Sequence, residues 1–260
     1  MALIEDTLFG RVDKVQMAIE RIKMFEPPEG YYLAFSGGKD SQCIYHLAEM
    51  AGVKFDAHYN LTTVDPPELV HFIKKNYPEV KIHRPQMTMW QLIKKKKMLP
   101  TRISRYCCDY LKEGKGNTSG EGRTVMMGIR WEESIRRKDR KMVQQCLKQS
   151  KVNFCPILDW TIDDVWEFIK GNNIPYCDLY NEGFKRLGCV MCPFGNQEKE
   201  SKRWPKISNA YYRAGERARI ERIKFKGNEF KSQFKNFDEE WNWWIKGEPI
   251  DNPDQTVMFE

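Results

Sequence analysis

The chain has 260 residues, with 43 Lys and Arg against 36 Asp and Glu, a net charge of +7 and 41% hydrophobic residues. That apolar share supports a packed core and excludes wholesale disorder. No uncharged apolar run reaches the roughly 18–20 residues of a membrane span. The N-terminal stretch mixes charge with apolar positions, so neither a membrane protein nor a secretory signal is expected, and the expected compartment is the cytoplasm. In chain order, Ile4, Leu8, Val12, Val15, Ile19 and Ile22 fall at helical spacing and predict an amphipathic helix over 4–25, closed by Pro27-Pro28. Tyr31 to Phe35 reads as a buried strand and Gln42 to Met50 as a helix. Further strands are predicted at 53–59, 80–83, 124–127 and 154–157, with helices at 66–75, 87–98 and 161–169, the last capped by Thr161 with Asp164. Residues 114–122 form a Gly-rich loop, and beyond about 195 the strand signal vanishes. Alternating strands and helices predict an α/β protein, a Rossmann-like parallel sheet with helices on both faces, followed by a helical C-terminal extension. The division expected is 1–27, 28–195 and 196–260.

Between the first strand and its helix stands Ser36-Gly37-Gly38-Lys39-Asp40-Ser41. A Gly-rich turn entering a helix aims several backbone N–H groups and the helix dipole at one spot, an arrangement suited to phosphate. Gly37 and Gly38 permit close approach, Lys39 adds a cation, and Ser36 and Ser41 add hydroxyls. Asp40 would repel an anion, so it is expected to cap the helix or to help hold a metal ion. Neither GxxxxGK[ST] nor GxGxxG spacing is present.

Eight cysteines in a chain without a secretory signal point to metal binding, catalysis or burial rather than to disulfides. Cys189-Val190-Met191-Cys192 is a C-x-x-C between Gly188 and Pro193, and Cys107-Cys108 is an adjacent pair. Four thiolates suit a structural zinc or an iron–sulfur cluster; adjacent cysteines diverge and fit poorly around one tetrahedral ion. Cys43, Cys146 and Cys155 read as buried residues.

The segment Ser36 to Ser41 resembles the pyrophosphate-binding PP-loop of adenine-nucleotide α-hydrolase-like enzymes, the HUP type of α/β fold, and most resembles the phosphoadenosine phosphosulfate (PAPS) reductase family. Four further elements support the resemblance, in family order: 59–65 (YNLTTVD), 128–137 (GIRWEESIRR), 156–166 (PILDWTIDDVW) and 179–189 (LYNEGFKRLGC). The resemblance implies an enzyme binding an adenine nucleotide, ATP or the sulfonucleotides PAPS and APS, with magnesium. It implies nucleotide contacts from Ser36, Gly37, Gly38, Lys39, Asp40, Ser41, Asn60, Thr62, Thr63, Gly128, Arg130, Glu133 and Ser134, with Lys39, Asp40, Arg130 and Arg137 doing the chemistry. The cysteine pattern resembles the four-iron–four-sulfur (4Fe-4S) ligand set of APS reductases and of DNA-phosphorothioation ATP pyrophosphatases, implying Cys107, Cys108, Cys189 and Cys192 as ligands.

One departure separates these functions. Such reductases carry a nucleophilic cysteine near the C-terminus, whereas residues 193–260 contain none, and Cys177 is the remaining thiol near the expected site. The better fit is an ATP pyrophosphatase that activates an acceptor for sulfur transfer. The alternatives are a PAPS or APS reductase with an external thiol, and a non-catalytic nucleotide-binding subunit. Partners implied are a sulfur donor such as a cysteine desulfurase and a nucleic acid as acceptor; a homo-oligomer is left open. Residues 198–235 hold 12 Lys and Arg against 5 Glu, a surplus equal to the whole net charge. In 209–225, Tyr211, Tyr212 and Phe225 interleave with Arg213, Arg217, Arg219 and Arg222, which suits either phosphate tracking or an amphipathic helix with its arginines in water. Trp241, Trp243 and Trp244 with Phe234 and Phe237 are expected to pack as a hydrophobic clamp.

Overall fold

A computed structural model describes residues 3–7, 10–112, 120–146, 150–227 and 231–247. Most of the Gly-rich segment 114–122 lies outside the described residues. The chain divides into two compact units: Met1–Gln86 with Cys108–Gly188, and Met87–Cys107 with Cys189–Glu260. The second unit thus recruits Met87–Cys107, a stretch remote in sequence from the helical extension expected over 196–260.

The first unit opens on a hairpin rather than a helix. Strands β1 (Ile4–Thr7) and β2 (Gly10–Asp13) pair antiparallel, and helix α1 covers only Lys14–Met24. Two local causes stop the helix from extending to residue 4. Gly10 has a φ of 116°, outside helical space, and the Asp13 carboxylate accepts the N–H groups of Val15 and Gln16 at 2.9 Å, capping α1 where it starts. Buried Lys14 then donates to Asp164 at 2.8 Å and also pairs with Glu5, tying the hairpin to a later helix.

Six strands form the main sheet: β3 (Tyr31–Ala34), β4 (Phe55–Asn60), β5 (Lys81–His83), β6 (Thr124–Met126), β7 (Val143–Cys146) and β8 (Lys151–Phe154). Their order is β5-β4-β3-β6-β8-β7, parallel throughout except for edge strand β7. Helices lie on both sides of this sheet. Helices α2 (Lys39–Ala51) and α3 (Pro67–Asn76) make the crossovers β3 to β4 and β4 to β5. Right-handed crossovers running in one direction place both on the same face, and the return past β3 to β6 lies on the other. Tyr31 is buried, stacks on Phe154 at 5.5 Å and donates its hydroxyl to the carbonyl of Ile22 at 2.8 Å. Helix α6 (Ile162–Gly171) carries the expected capping box of Thr161 and Asp164. From β3 the chain winds outward through β4 to β5 and then returns to β6 on the other side of β3, so a crevice opens at its carboxy end, the usual ligand position in open α/β sheets.

The second unit contains α4 (Met89–Lys96), α7 (Gln197–Arg203), α8 (Pro205–Lys226) and α9 (Phe237–Lys246); helix α5 (Tyr106–Leu111) begins in it. Tyr211 is buried between Trp90 and Trp244, whose rings lie 5.0 and 5.5 Å away. A Cβ at Gly215 would meet Phe237 at 2.6 Å, so glycine there lets α8 and α9 close on each other. Trp241 and Trp244 stack at 5.2 Å, and Tyr212 packs edge-on against Phe237 and Trp241, which is the expected aromatic clamp. Arg219 and Arg222 depart from both expectations, each being held by a carboxylate on another helix. Arg219 is buried, donating to Glu240 at 2.7 Å and to the carbonyl of Phe234 at 2.8 Å, while Arg222 donates to both oxygens of Glu240 at 3.0 Å. Among the described residues, no helix is long and apolar enough to cross a membrane.

Candidate active site

The loop after β3 is built on one conformational requirement. Gly37 has a φ of 70°, and a Cβ there would stand 2.7 Å from Ile73, so both backbone and space demand glycine. The chain then enters α2 at Lys39, three residues before the predicted start, so Lys39, Asp40 and Ser41 form its first turn. Gly38 is the N-cap and supplies no side chain to the orphan amides. Hydroxyls satisfy them instead: the Gly38 N–H donates to Ser36 Oγ at 3.3 Å and the Lys39 N–H to the Tyr180 hydroxyl at 2.9 Å. Ser41 Oγ accepts the Ser36 N–H at 3.2 Å and donates to the Gly38 carbonyl at 2.8 Å. These acceptors are exchangeable, because a hydroxyl can turn and donate when an anion takes its place.

Asp40 does not cap the helix. Its carboxylate lies between two cations, Arg130 Nε at 2.8 Å and Lys39 Nζ at 3.1 Å. Arg130 is buried; its Nη1 reaches Glu132 at 2.9 Å and the Trp160 carbonyl at 3.2 Å. The guanidinium thus spans three acceptors and holds Asp40, which in turn fixes the Lys39 ammonium. Gly128 makes this convergence feasible, since a Cβ there would stand 2.5 Å from the Asp40 carbonyl oxygen. The exit of β6 therefore runs in backbone contact with the first turn of α2.

Arg137 pairs with Glu133 and is half-buried, and its guanidinium is pushed below its ordinary value by burial and then by the like charges of Arg186 and Arg140. Arg186 and Arg140 therefore stand close enough to Arg137 for their charges to oppose its own, while Asp40 acts in the opposite sense. Ser134 is exposed, and its carbonyl accepts the Arg137 N–H at 2.9 Å. Asn60 closes β4; the pairing of Ala34 with His58 sets it level with Ser36 at the same carboxy edge. Thr62 is buried with its N–H on Asp65 at 2.6 Å, and Thr63 adopts a φ of 68°, unusual for a β-branched residue. The structure so brings Ser36 to Ser41, Gly128, Arg130, Glu133 and Arg137 together, with Asn60, Thr62 and Thr63 leaving the adjoining strand. Sequence reasoning gave no role to Tyr180, Arg140 or Arg186. Tyr180 and Arg186 lay inside the 179–189 element as a visible signal, and Arg140 follows the 128–137 element, its N–H on the Arg137 carbonyl at 3.0 Å; only the approach of Arg186 to Arg137 depends on tertiary packing.

Cys107 and Cys108 are consecutive on α5. Cys189 and Cys192 bracket a turn in which Met191 has a φ of 61°. Glu200 braces that turn: its buried carboxylate accepts the N–H groups of Met191, at 2.5 Å, and of Cys192, while burial pushes it up to about 7. Gly195 makes room for it, as a Cβ there would lie 2.4 Å from the carboxylate. Within the second unit, Cys107, Cys189 and Cys192 all stand near Tyr211, whose phenol is raised chiefly by burial and further by those three thiols. Among the described residues, no group of three Cys, His, Asp or Glu side chains is arranged to hold a metal ion. Cys43, Cys155 and Cys177 are buried, and desolvation raises each thiol.

A doubly wound sheet with a glycine loop and helix N-terminus at its crevice defines a HUP-type α/β nucleotide-binding fold. Residues 30–194 match the phosphoadenosine phosphosulfate reductase domain, and the chain belongs to that family. It is 30% identical over 150 residues to an adenosine 5′-phosphosulfate reductase of Oceanobacillus iheyensis, covering 56% of this chain and 60% of that protein. To the enzyme of the same name from Staphylococcus saprophyticus it is 28% identical over 204 residues, covering 74% of this chain and 84% of that one. The phosphate complex of phosphoadenylyl-sulfate reductase from Candida auris matches in structure with a TM-score of 0.54 at 16% identity, over 70% of this chain and 90% of that one. The chain thus spans less than two thirds of the length of the Oceanobacillus relative.

Proposed function

We propose that this chain is an ATP pyrophosphatase of the sulfurtransferase type: it binds an adenine nucleotide on the loop 36–41, releases pyrophosphate and leaves an acceptor activated for sulfur transfer. The observation that carries this is the excess of cations around an open helix N-terminus. Arg137 feels the like charges of Arg186 and Arg140 and the opposite charge of Asp40, which pairs with Lys39 at 3.1 Å, and a polyphosphate would relieve that repulsion. The phosphate chain takes the N–H groups of Gly38 and Lys39, while Ser36 and Tyr180 turn from accepting to donating. Magnesium enters with the nucleotide as part of the substrate. Asn60, Thr62 and Thr63 contact the adenosine, and Glu133 and Ser134 border the phosphates.

An acceptor oxygen attacks the α-phosphorus, the bond to the pyrophosphate oxygen breaks, and negative charge grows on the departing group. Lys39 and the three arginines neutralise that charge; an oriented donor of this kind is worth roughly 10²–10³ in rate. Arg130 acts one step back as a positioning residue, because its Nε holds Asp40 and its Nη1 is taken by Glu132 and the Trp160 carbonyl. Cys107, Cys108, Cys189 and Cys192 would hold a 4Fe-4S cluster: four thiols suit its chemistry, and the Glu200-braced turn presents two of them. When bound, that cluster supplies an electropositive, polarisable centre. A nucleic acid as acceptor and a persulfide-bearing donor such as a cysteine desulfurase complete the reaction.

The second reading is reduction of a sulfonucleotide, supported by the names of the two bacterial relatives. Three thiols of the nucleotide unit weigh against it, since Cys43, Cys155 and Cys177 are buried and desolvation raises each, whereas a thiolate is the nucleophile such chemistry needs. Product analysis of anaerobically purified protein decides between the two. Pyrophosphate from ATP, lost in Lys39→Ala, supports ATP cleavage; sulfite from APS or PAPS with an added thiol, and no pyrophosphate, overturns it.

A further inference from the structure

The second unit contains a cavity that none of the chemistry above uses. It encloses about 470 Å³ and is lined from the turn after α4, the end of α8, the 231–234 segment and α9. That volume falls in the range of about 300–1,000 Å³ typical of small-molecule sites. Its walls divide by chemistry. Met98, Ile103, Phe234 and Trp243 make an apolar side, with the Phe234 and Trp243 rings 5.3 Å apart, and Ile103 is 94% exposed, unusual for so large an aliphatic group. Lys226 and Lys231 make a cationic side; both are exposed and neither forms an ion pair among the described residues.

The cavity's one carboxylate cannot neutralise those lysines. Both oxygens of Glu240 already accept hydrogen bonds from the buried guanidinium of Arg219 and from Arg222. Trp244 donates its indole N–H to the Pro100 carbonyl at 2.6 Å, but the buried indole N–H of Trp243 has no hydrogen-bond partner among the described residues. A buried donor left without an acceptor is costly, so its retention at a residue lining a cavity marks a place for an acceptor. The basic, aromatic character continues outside: Lys97 Nζ stands 3.5 Å from the centre of the Phe225 ring, which is 76% exposed on α8.

From this juxtaposition of an aromatic wall, an unmade indole donor and two unneutralised lysines we infer that the helical unit is a binding site for a nucleobase bearing a phosphate. The base lies against Trp243 and Phe234 and offers a ring carbonyl to the indole N–H; the phosphate is taken by Lys226 and Lys231. This chemistry is shared by a free mononucleotide and by one residue of a single strand, and in the second case Lys97, Lys224 and Phe225 continue the track. The site stands whether or not the first unit cleaves ATP.

The test uses the full chain, with thymidine 5′-phosphate and a 5′-phosphorylated oligothymidylate as probes read by tryptophan fluorescence and calorimetry. Both probes bind, and thymidine or inorganic phosphate alone binds at least about tenfold more weakly. Trp243→Ala weakens binding by roughly tenfold, the order expected for one lost base–aromatic stack. Lys226→Glu with Lys231→Glu weakens it at least as much and flattens its salt dependence, while Lys39→Ala leaves it unchanged. An oligothymidylate that binds more tightly than the mononucleotide assigns the site to a strand, and equal affinities assign it to a free nucleotide. If Trp243→Ala does not fold, the double variant at the two exposed lysines decides the question. Unaltered affinity in that folded lysine variant, or equal binding of phosphate alone, overturns the inference.

Discussion

Gly128→Ala is the substitution that most sharply tests whether β6 and α2 form one site. The added methyl would meet the Asp40 carbonyl oxygen at 2.5 Å and its carbon at 2.7 Å, backbone atoms that cannot rotate away. Opening the contact to the 3.0 Å below which real Cβ contacts essentially never fall requires a separation of about 0.5 Å. Overpacking of this kind costs about 1–3 kcal/mol, and the displacement falls on the helix turn that holds Lys39 and Asp40. A misplacement of about 1 Å costs about 10² in rate, so the variant is expected to lose about tenfold or more in kcat/KM for pyrophosphate release. Nucleotide affinity, measured by calorimetry, falls with it, and circular dichroism shows a folded protein with a lowered Tm. Wild-type affinity and turnover in Gly128→Ala would refute the convergence of the two loops on one ligand.

Arg130→Met leaves Asp40 and Glu132 without their shared cation. Losing one member of a buried pair costs about 3–5 kcal/mol, here about 2–4 because Asp40 is 23% exposed, which thermal unfolding reads as a fall in Tm that Arg130→Lys only partly restores. Acid is expected to destabilise the first unit from about pH 6.5 downward. Burial lowers the His58 pKa below its ordinary 6.5 despite the nearby Asp56, so the stability present above that pH is lost as His58 is forced to protonate. Asp56 adds a second loss at lower pH: burial would raise it, but hydrogen bonds from Arg123 and His58 hold it well below the ordinary carboxylate value. His58→Gln should flatten the profile between pH 7 and 5. Cys189→Ser and Cys192→Ser are each expected to abolish bound iron and broad absorbance near roughly 400 nm in anaerobic protein. Glu200→Ala should lower iron content while leaving nucleotide binding intact; full iron in all three variants would refute the assignment of the cluster to this turn. Glu240→Ala leaves Arg219 buried without its carboxylate and is expected to cost about 3–5 kcal/mol in the helical unit.

Those elements whose cause is local were legible in the sequence. The strand at Tyr31, the loop at Ser36 to Ser41 and the Thr161 capping box each rest on neighbours within a few residues. The N-terminal hairpin was missed because apolar spacing at 4, 8 and 12 imitates a helix, while the Asp13 cap and the positive φ of Gly10 decide otherwise. Strand β7, Val-Gln-Gln-Cys, is too polar to announce itself and exists through its pairing with β8. Asp40 looked like a cap or a metal ligand because its cation Arg130 comes 90 residues later. Arg219 and Arg222 read as solvated or phosphate-tracking for the same reason, their partner Glu240 lying on another helix. Long-range charge pairing thus set what local pattern could not show.

A structure of the protein with a non-hydrolysable ATP analogue tests the central claim most directly. The β- and γ-phosphates are expected on the N–H groups of Gly38 and Lys39 at about 2.7–3.2 Å, with Lys39 and Arg137 on the phosphate oxygens and the adenosine beside Asn60 and Thr63. Phosphates bound anywhere else, with the 36–41 loop keeping its hydroxyl partners unchanged, would contradict it.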